Sequence, residues 1–289
     1  MPELPEVEVT RRRVAPLLVG RRIAEVRTGP PSYFFLTAPA VLRRRLAGRT
    51  VERLDRVGKY LLAALDSGET LLLHLGMTGQ IFGSDVVSSG RLNLKRRARL
   101  EPAEALEPDA HTHLCLRFEG GGPELMFRDV RKFGKVRLLP RGGSDPRLAK
   151  LGEDALDVTG AHLFEASRGR RACLKALLLD QSVLAGVGNI YADEALHLAR
   201  LSPLRVARRL KRAEADRLAE GVRQVLLGAI AAGGSSISDF IHPDGSAGDY
   251  QSEHLVYGRG GQPCPSCGRP IVRRVVAQRS THFCSRCQR

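Results

Sequence analysis

The amino-acid sequence predicts an α+β protein: an antiparallel β-rich N-terminal part opened by one helix, then a helical part ending in a small metal-held hairpin. Three observations carry this prediction. Short apolar runs separated by turn residues fill the chain from about residue 20 to 139, apolar residues recur at helical spacing from about 160 to 232, and four of the six cysteines form two C-x2-C pairs near the C-terminus. With 289 residues, 43% of them hydrophobic, the chain can bury two cores of ordinary size.

From Val7 to Leu18, Val7, Val14 and Leu18 fall near one face and Arg11, Arg12 and Arg13 largely on the others, which predicts a short amphipathic helix stopped at Gly20. The runs VERLDRV, KYLLAAL, ETLLLHLGM, HLCLRF, ELMFRDV and KVRLLP, broken by Asp66-Ser67-Gly68 and Gly120-Gly121-Gly122, predict a mostly antiparallel β domain over residues 1–139, a sandwich or a barrel. Gly83 to Ala110, rich in Ser, Pro and charge, reads as a long mobile loop. PRGGSDP opens a linker at 140–159 into a helical domain at 160–234, with helices expected at about Ala161 to Leu179, Gly188 to Ala199 and Val206 to Ala232. A Gly-rich loop region, 235–255, and a terminal module, 256–289, complete the expected division.

Lys and Arg number 46 against 31 Asp and Glu, a net charge of +15, and the excess recurs in blocks such as Arg11-Arg12-Arg13, Arg43-Arg44-Arg45, Lys95-Arg96-Arg97 and Arg208-Arg209. A polyanionic partner follows naturally, because each phosphate neutralised releases counterions; a solvated surface or an arginine-biased composition explains any single block equally well. No apolar run is long enough for a membrane span and the start lacks the layout of a secretory signal, so a soluble, cytoplasmic protein is expected; a monomer is expected as well. Cys264-Pro-Ser-Cys267 and Cys284-Ser-Arg-Cys287 match a four-thiolate zinc site, one structural Zn2+ with no position left open for chemistry. No catalytic metal and no organic cofactor is expected. Arg273, Arg274 and Arg279 between the two pairs suit a hairpin that grips nucleic acid, or one that buttresses its neighbour. Cys115 and Cys173 read as isolated packed thiols.

The chain opens MPELPEVEV. Removal of the initiator Met would leave Pro2 with a free secondary amine beside the carboxylate of Glu3. The segment MPELPEVE is followed in order by VGKYLL (Val57 to Leu62), GVGNIYADE (Gly186 to Glu194) and the cysteine module with QRSTHFC, while HLGMTG, RDVRKFG and VYGRGGQPC extend the pattern over nearly the whole chain. This set resembles the formamidopyrimidine-DNA glycosylase branch of the formamidopyrimidine glycosylase/endonuclease VIII family. LPE at the start, and SSISDFIHPDGSAGDYQ (Ser235 to Gln251), which is similar to a purine-capping loop, favour that branch over endonuclease VIII.

The resemblance implies an N-terminal catalytic β-sandwich domain, a helix–two-turn–helix DNA-binding domain, a lesion-capping loop and a zinc finger. It also implies a bifunctional DNA glycosylase and AP lyase that excises 8-oxoguanine and formamidopyrimidines from damaged double-stranded DNA. Pro2 would attack C1′ of the damaged nucleotide and Glu3 would donate the proton that opens the sugar. An α-amine, near ~8 against ~10.4 for lysine, is nucleophilic at neutral pH without special activation. Lys59 is implied in β-elimination and Arg279 in δ-elimination. Glu6 suits a supporting role or a helix N-terminal acid. Because the nucleotide must leave the stack, Met77, Arg131 and Phe133 are implied as the side chains that fill the gap, and His74, His111, Arg170, Lys175 and Asn189 as phosphate contacts. Ala176 stands where the family usually has proline after the lysine matched by Lys175. Two rivals remain: an endonuclease VIII-type glycosylase for oxidised pyrimidines, and a non-catalytic zinc-ribbon DNA-binding protein, to which an intact Pro2-Glu3 pair would be useless.

Overall fold

The computed structural model describes residues 2–84, 108–236, 242–243 and 246–289. The basic block Lys95-Arg96-Arg97, nearly all of the expected 83–110 loop and part of the expected capping segment lie outside the described residues. The chain divides into two compact units, residues 1–146 with 233–249, and residues 147–232 with 250–289.

The first unit runs through α1 (Leu4–Leu18), β1 (Ile23–Thr28), α2 (Pro39–Leu46), β2 (Val51–Val57), β3 (Tyr60–Leu65), β4 (Thr70–His74), β5 (Gly79–Gly83), β6 (Thr112–Phe118), β7 (Leu125–Asp129) and β8 (Lys135–Leu139). The strands form two four-stranded antiparallel sheets, β1-β6-β7-β5 and β2-β3-β4-β8, so the architecture is a sandwich and not a barrel. Alternation along β3, with Leu61, Ala63 and Leu65 buried, gives the period of two that makes a strand legible. Together with Val7, Val14 and Leu18 of α1, and Ile81, Leu116 and Phe127 of the other sheet, they form one core.

Sequence reasoning passes over α2, β1 and β5. The first is only eight residues long, with Leu42 and Leu46 inward and three arginines in its last turn. The last, GQIFG, has the composition of a turn. Its Gly79 is required by close approach, since a Cβ there would lie 2.2 Å from the Leu75 carbonyl oxygen.

The second unit contains β9 (Glu153–Asp154), α3 (Gly160–Ser167), α4 (Leu174–Leu179), β10 (Leu184–Ala185), α5 (Asn189–Leu198), α6 (Arg212–Ala231), β11 (Val272–Val276) and β12 (Arg279–Phe283). The single helix expected over 161–179 is two helices, because the backbone turns extended at Arg168 and left-handed at Gly169, where φ is +70°. Similarly, Val206 and Leu210 are extended, so the long helix starts at Arg212 and not at Val206. The stretch read as a linker contributes β9, which pairs in parallel with β10. Residues 233–249 cluster with the first unit: the Ser235 N–H donates to Glu6 Oε1 at 2.8 Å, and Arg13 Nη1 to Ser246 Oγ at 2.7 Å.

Within α1, Glu8 is buried and accepts hydrogen bonds from Arg11 at 2.8 and 2.9 Å and from Arg12 at 2.8 Å, while Arg56 of β2 approaches at 3.2 Å. Arg56 also donates to the Gly58 carbonyl at 3.0 Å, so Glu8 braces the Gly58-Lys59 turn between β2 and β3. Burial alone would raise the Glu8 pKa. The guanidinium hydrogen bonds and charges outweigh it and pull the value from 4.5 to about 2. A carboxyl depressed in the fold stabilises fully above its unfolded value and loses that contribution as pH falls from 4.5 toward about 2. Glu8→Gln should therefore cost about 2 kcal/mol in urea melts near neutrality and flatten the loss of stability over that acid window.

Candidate active site and nucleic-acid interface

Pro2 and Glu3 are both buried where α1 begins, Glu3 with 3% of its surface exposed. Glu3 is the N-cap residue, and its backbone N–H donates to Glu6 Oε2 at 2.8 Å. Glu6 is an acid in the first helical turn, and its other oxygen accepts from the Ser235 N–H. Lys59 is buried on the adjacent turn. Burial lowers its pKa, and the charges of Glu3 and Glu6 oppose that shift. An amine, a carboxyl and the N-terminal proline are thus grouped, with the amine more available as a base than an exposed lysine.

The HLGMTG and RDVRKFG segments form two loops packed backbone to backbone. A Cβ on Gly76 would meet Gly134 N and Phe133 C at 2.5 Å, and one on Gly134 would meet the His74 carbonyl oxygen at 2.9 Å. Between the loops lies Asp129, fully buried, which sequence reasoning missed. Its Oδ1 accepts from Thr78 Oγ1 at 2.5 Å and from the Arg131 N–H at 3.2 Å, and its Oδ2 from the Gly134 N–H at 2.6 Å. On this base Met77 and Phe133 stand 42% and 45% exposed, not in the core, with the Arg131 guanidinium 5.3 Å from the Phe133 ring centre. Lys132, between Arg131 and Phe133, is left-handed with φ +58°. Asp129 lies inside the RDVRKFG segment, but its role is not singled out there: its partners are the backbone N–H groups of Arg131 and Gly134 and a hydroxyl, Thr78, 51 residues away.

His74 ends β4, half-buried, with its ring 4.7 Å from that of Tyr60. His111 is partly exposed. Its N–H is held by Asp109, whose carboxylate pairs with buried Arg128 at 2.7 Å. His113 is the inward partner of the H-x-H pattern, bonded to the Asp129 carbonyl.

In the second unit, Asn189 opens α5 and its Nδ2 donates to the Ser280 carbonyl at 3.0 Å. Arg279 opens β12, exposed, after Ala277 and Gln278, both left-handed. Arg170 is partly exposed and pairs with Asp180 at 2.8 Å. Lys175 departs from its expected place as a phosphate contact. It is fully buried: its Nζ donates to Thr281 Oγ1 at 2.7 Å and to the Ser280 carbonyl at 3.1 Å, and forms an ion pair with Asp193 Oδ1 at 2.7 Å. Two hydrogen bonds and the Asp193 charge enclose the ammonium, which has no exposed surface to offer a phosphate. Asp193 in turn accepts from the His282 N–H at 2.8 Å, and Glu194 from the N–H groups of Leu255, Val256 and Tyr257.

The four cysteine sulfurs lie within 4.8 Å of one another, with Cys267 to Cys284 at 3.5 Å and Cys264 to Cys287 at 3.9 Å. Zinc–sulfur bonds of about 2.3 Å set tetrahedral edges of about 3.8 Å, so this donor set fits a structural Zn2+. His197 of α5 places Nε2 3.6 Å from Cys264 Sγ, an outer contact to the cluster.

Comparison with known proteins decides the family. The formamidopyrimidine-DNA glycosylase N-terminal domain matches residues 1–136, the H2TH domain residues 151–241, and the zinc finger found in FPG and IleRS residues 261–289. A formamidopyrimidine-DNA glycosylase of Thermus thermophilus is 45% identical over 294 residues, covering 100% of this chain and 98% of the relative. The chain belongs to the formamidopyrimidine-DNA glycosylase family. Among solved structures, the MutM (FPG) protein of Thermus thermophilus superposes with a TM-score of 0.83 at 44% identity, over 99% of this chain and 98% of that one. Wild-type Lactococcus lactis Fpg (MutM), in complex with DNA containing N7-benzyl-Fapy-dG, gives 0.85 at 33% identity over the whole of both chains.

Two outcomes test this family site. Asp129→Asn keeps one acceptor oxygen but turns an N–H group toward existing donors. It should slow excision of 8-oxoguanine in single turnover by about tenfold or more, with Thr78→Ala, which removes a single bond, costing less. Rates equal to the parent's would show that the loops hold without the carboxylate. Cys267→Ser should release zinc and weaken DNA binding, because a four-thiolate site has no spare donor; one zinc per chain with full activity in that variant would refute a structural metal.

Proposed function

We infer that the chain is a bifunctional DNA glycosylase and AP lyase of base excision repair that acts on oxidised purines, 8-oxoguanine and formamidopyrimidines, in duplex DNA. The carrying observation is the buried grouping of Pro2, Glu3 and Lys59 in a chain whose family models cover its catalytic, H2TH and zinc-finger segments. Solved relatives bound to DNA containing Fapy-dG or carbocyclic 8-oxo-G support the substrate class.

With Met1 removed, the Pro2 nitrogen attacks C1′, the glycosidic bond breaks, and the base leaves with a proton. The C1′–O4′ bond opens as Glu3 supplies a proton to O4′, leaving an iminium between Pro2 and C1′. That cation draws the electron pair released when a C2′ proton is removed, so the 3′-phosphate leaves by β-elimination. A second elimination then releases the 5′-phosphate. Lys59, its pKa lowered by burial, suits the proton transfers of the first elimination, and Arg279 is assigned to the second. Met77, Arg131 and Phe133 fill the space of the flipped nucleotide, the two apolar side chains as wedges and the guanidinium toward the unpaired base. His74, His111 and Asn189 are assigned to phosphates. No helix among the described residues is long and apolar enough to cross a membrane, and a cytoplasmic monomer is part of the same proposal.

Borohydride trapping tests the chemistry. Incubation with 8-oxoguanine duplex should give a stable covalent complex whose attached residue is the N-terminal proline, and Glu3→Gln should slow base excision severely while sparing DNA binding. Trapping at an internal lysine, with a blocked N-terminus still cutting, would overturn this mechanism. Faster excision of thymine glycol than of 8-oxoguanine would place the chain with endonuclease VIII in specificity, and binding without strand cleavage would leave only the zinc-ribbon reading.

A further inference from the structure

A pocket of about 630 Å3 opens in the second unit between the end of α3 and the start of α6. Arg168, Arg208, Arg209, Lys211 and Arg212 line it, with Phe164, and no carboxylate does. Arg168 approaches Glu165 only at 3.8 Å, both side chains more than half exposed, which is a weak pair. Among the described residues, no carboxylate pairs with the side chains of Arg208, Arg209, Lys211 or Arg212, since nearby Glu214 is taken by Arg205 at 2.6 Å. The Arg212 guanidinium instead lies 5.8 Å from the Phe164 ring centre.

An independent feature points the same way. Lys211 is the N-cap of α6, a 20-residue helix, where Ser, Thr, Asp or Asn would ordinarily accept a hydrogen bond. An ammonium group accepts nothing. The N–H groups of Arg212 and Ala213 therefore have no bonding partner among the described residues, although Glu214 Oε2 satisfies the N–H of Lys211 itself. Free amides at a helix start, the positive end of its dipole and four unpaired cations all call for the same ligand, an anion with several oxygens. Without one, the cations only repel each other.

The pocket adjoins Arg170, whose carbonyl accepts from the Arg208 N–H at 3.1 Å. Arg170 itself, an expected phosphate contact, pairs with Asp180 through Nη1 alone. The lining shares no residue with Asn189 or Arg279, the groups assigned to the lesion's own backbone. We propose that this pocket binds a backbone phosphate of the DNA duplex away from the lesion, a contact that holds undamaged DNA. The proposal rests on the glycosylase reading for the identity of the polyanion.

Two variants separate binding from folding. Arg208→Ala/Arg209→Ala removes charge, while Lys211→Ser supplies the missing cap and should raise the melting temperature. Both should weaken binding to an undamaged duplex and reduce the slope of log K against log salt by about 0.9 for each phosphate no longer neutralised. Nicking of a saturating 8-oxoguanine duplex should stay at the parental rate. An unchanged slope would overturn the pocket, as would an equal loss in Arg44→Ala, a charge outside the lining, which would mark a general field. If the parent nicks lesion DNA while its variants bind like it, only the pocket falls; if the parent neither binds nor nicks, the glycosylase reading falls with it.

Discussion

A side chain that must reach out to DNA cannot also anchor the loop that carries it, so the anchor has to come from elsewhere and act through the backbone. In this protein that task falls repeatedly to buried carboxylates. Asp129 holds Arg131 and Gly134 by their N–H groups, Glu6 holds Glu3 and Ser235, Asp193 holds His282, and Glu194 holds three successive amides from Leu255 to Tyr257. A carboxyl group carries two acceptor oxygens, so one such side chain can hold several backbone amides at once. Burial removes competing water. The arrangement leaves Met77, Phe133 and Arg279 exposed while the loops or strand ends beneath them are fixed.

The same economy shapes the start of α1. Glu3, Glu6 and Glu8 lie in its first turns, where the helix dipole favours negative charge, yet their surroundings differ. Glu8 is spent on Arg11, Arg12 and Arg56, and through Arg56 it braces the turn bearing Lys59. Glu6 is spent on amides. Lys59 meets the field of Glu3 and Glu6 from a buried position, so desolvation and attraction pull its pKa in opposite directions and desolvation prevails. Burial thus makes the Lys59 amine easier to deprotonate than that of an exposed lysine, which favours it for accepting a proton.

Much of this was legible because it repeats with a period or a fixed spacing. The two-residue alternation gave the strands of the sandwich, C-x2-C pairs gave the metal site, and ordered motifs gave the family. What escaped lacks such signals. The short helix α2 spans too few turns to show a period, and GQIFG reads as a turn until the Leu75 backbone presses on Gly79. Charge is the least readable property: Lys175 looks like any basic residue in a DNA-binding chain, and only the positions of Asp193 and Thr281, both distant in sequence, turn it inward. Asp129 shows the converse, an acid whose importance lies entirely in amides that sequence does not distinguish.

The zinc hairpin shows why a metal alone would not present Arg279. Its turn places Ala277 and Gln278 in the left-handed region, at φ +49° and +59°, a cost of roughly 1–2 kcal/mol for each non-glycine residue. The cysteine cluster fixes the chain at Cys284, beyond the far end of β12, and ladder pairing with β11 alone could be traded for a relaxed turn. Lys175, Asn189 and Asp193 close that escape by holding Ser280, Thr281 and His282, the three residues that follow Arg279. A buried Lys175–Asp193 pair contributes little net stability once desolvation is counted, but loss of either partner would strand a charge with no exposed surface. The pair is therefore better understood as a registration device: it ties α4 and α5 to one strand position, so that the strained turn and the arginine beside it have a single place to sit.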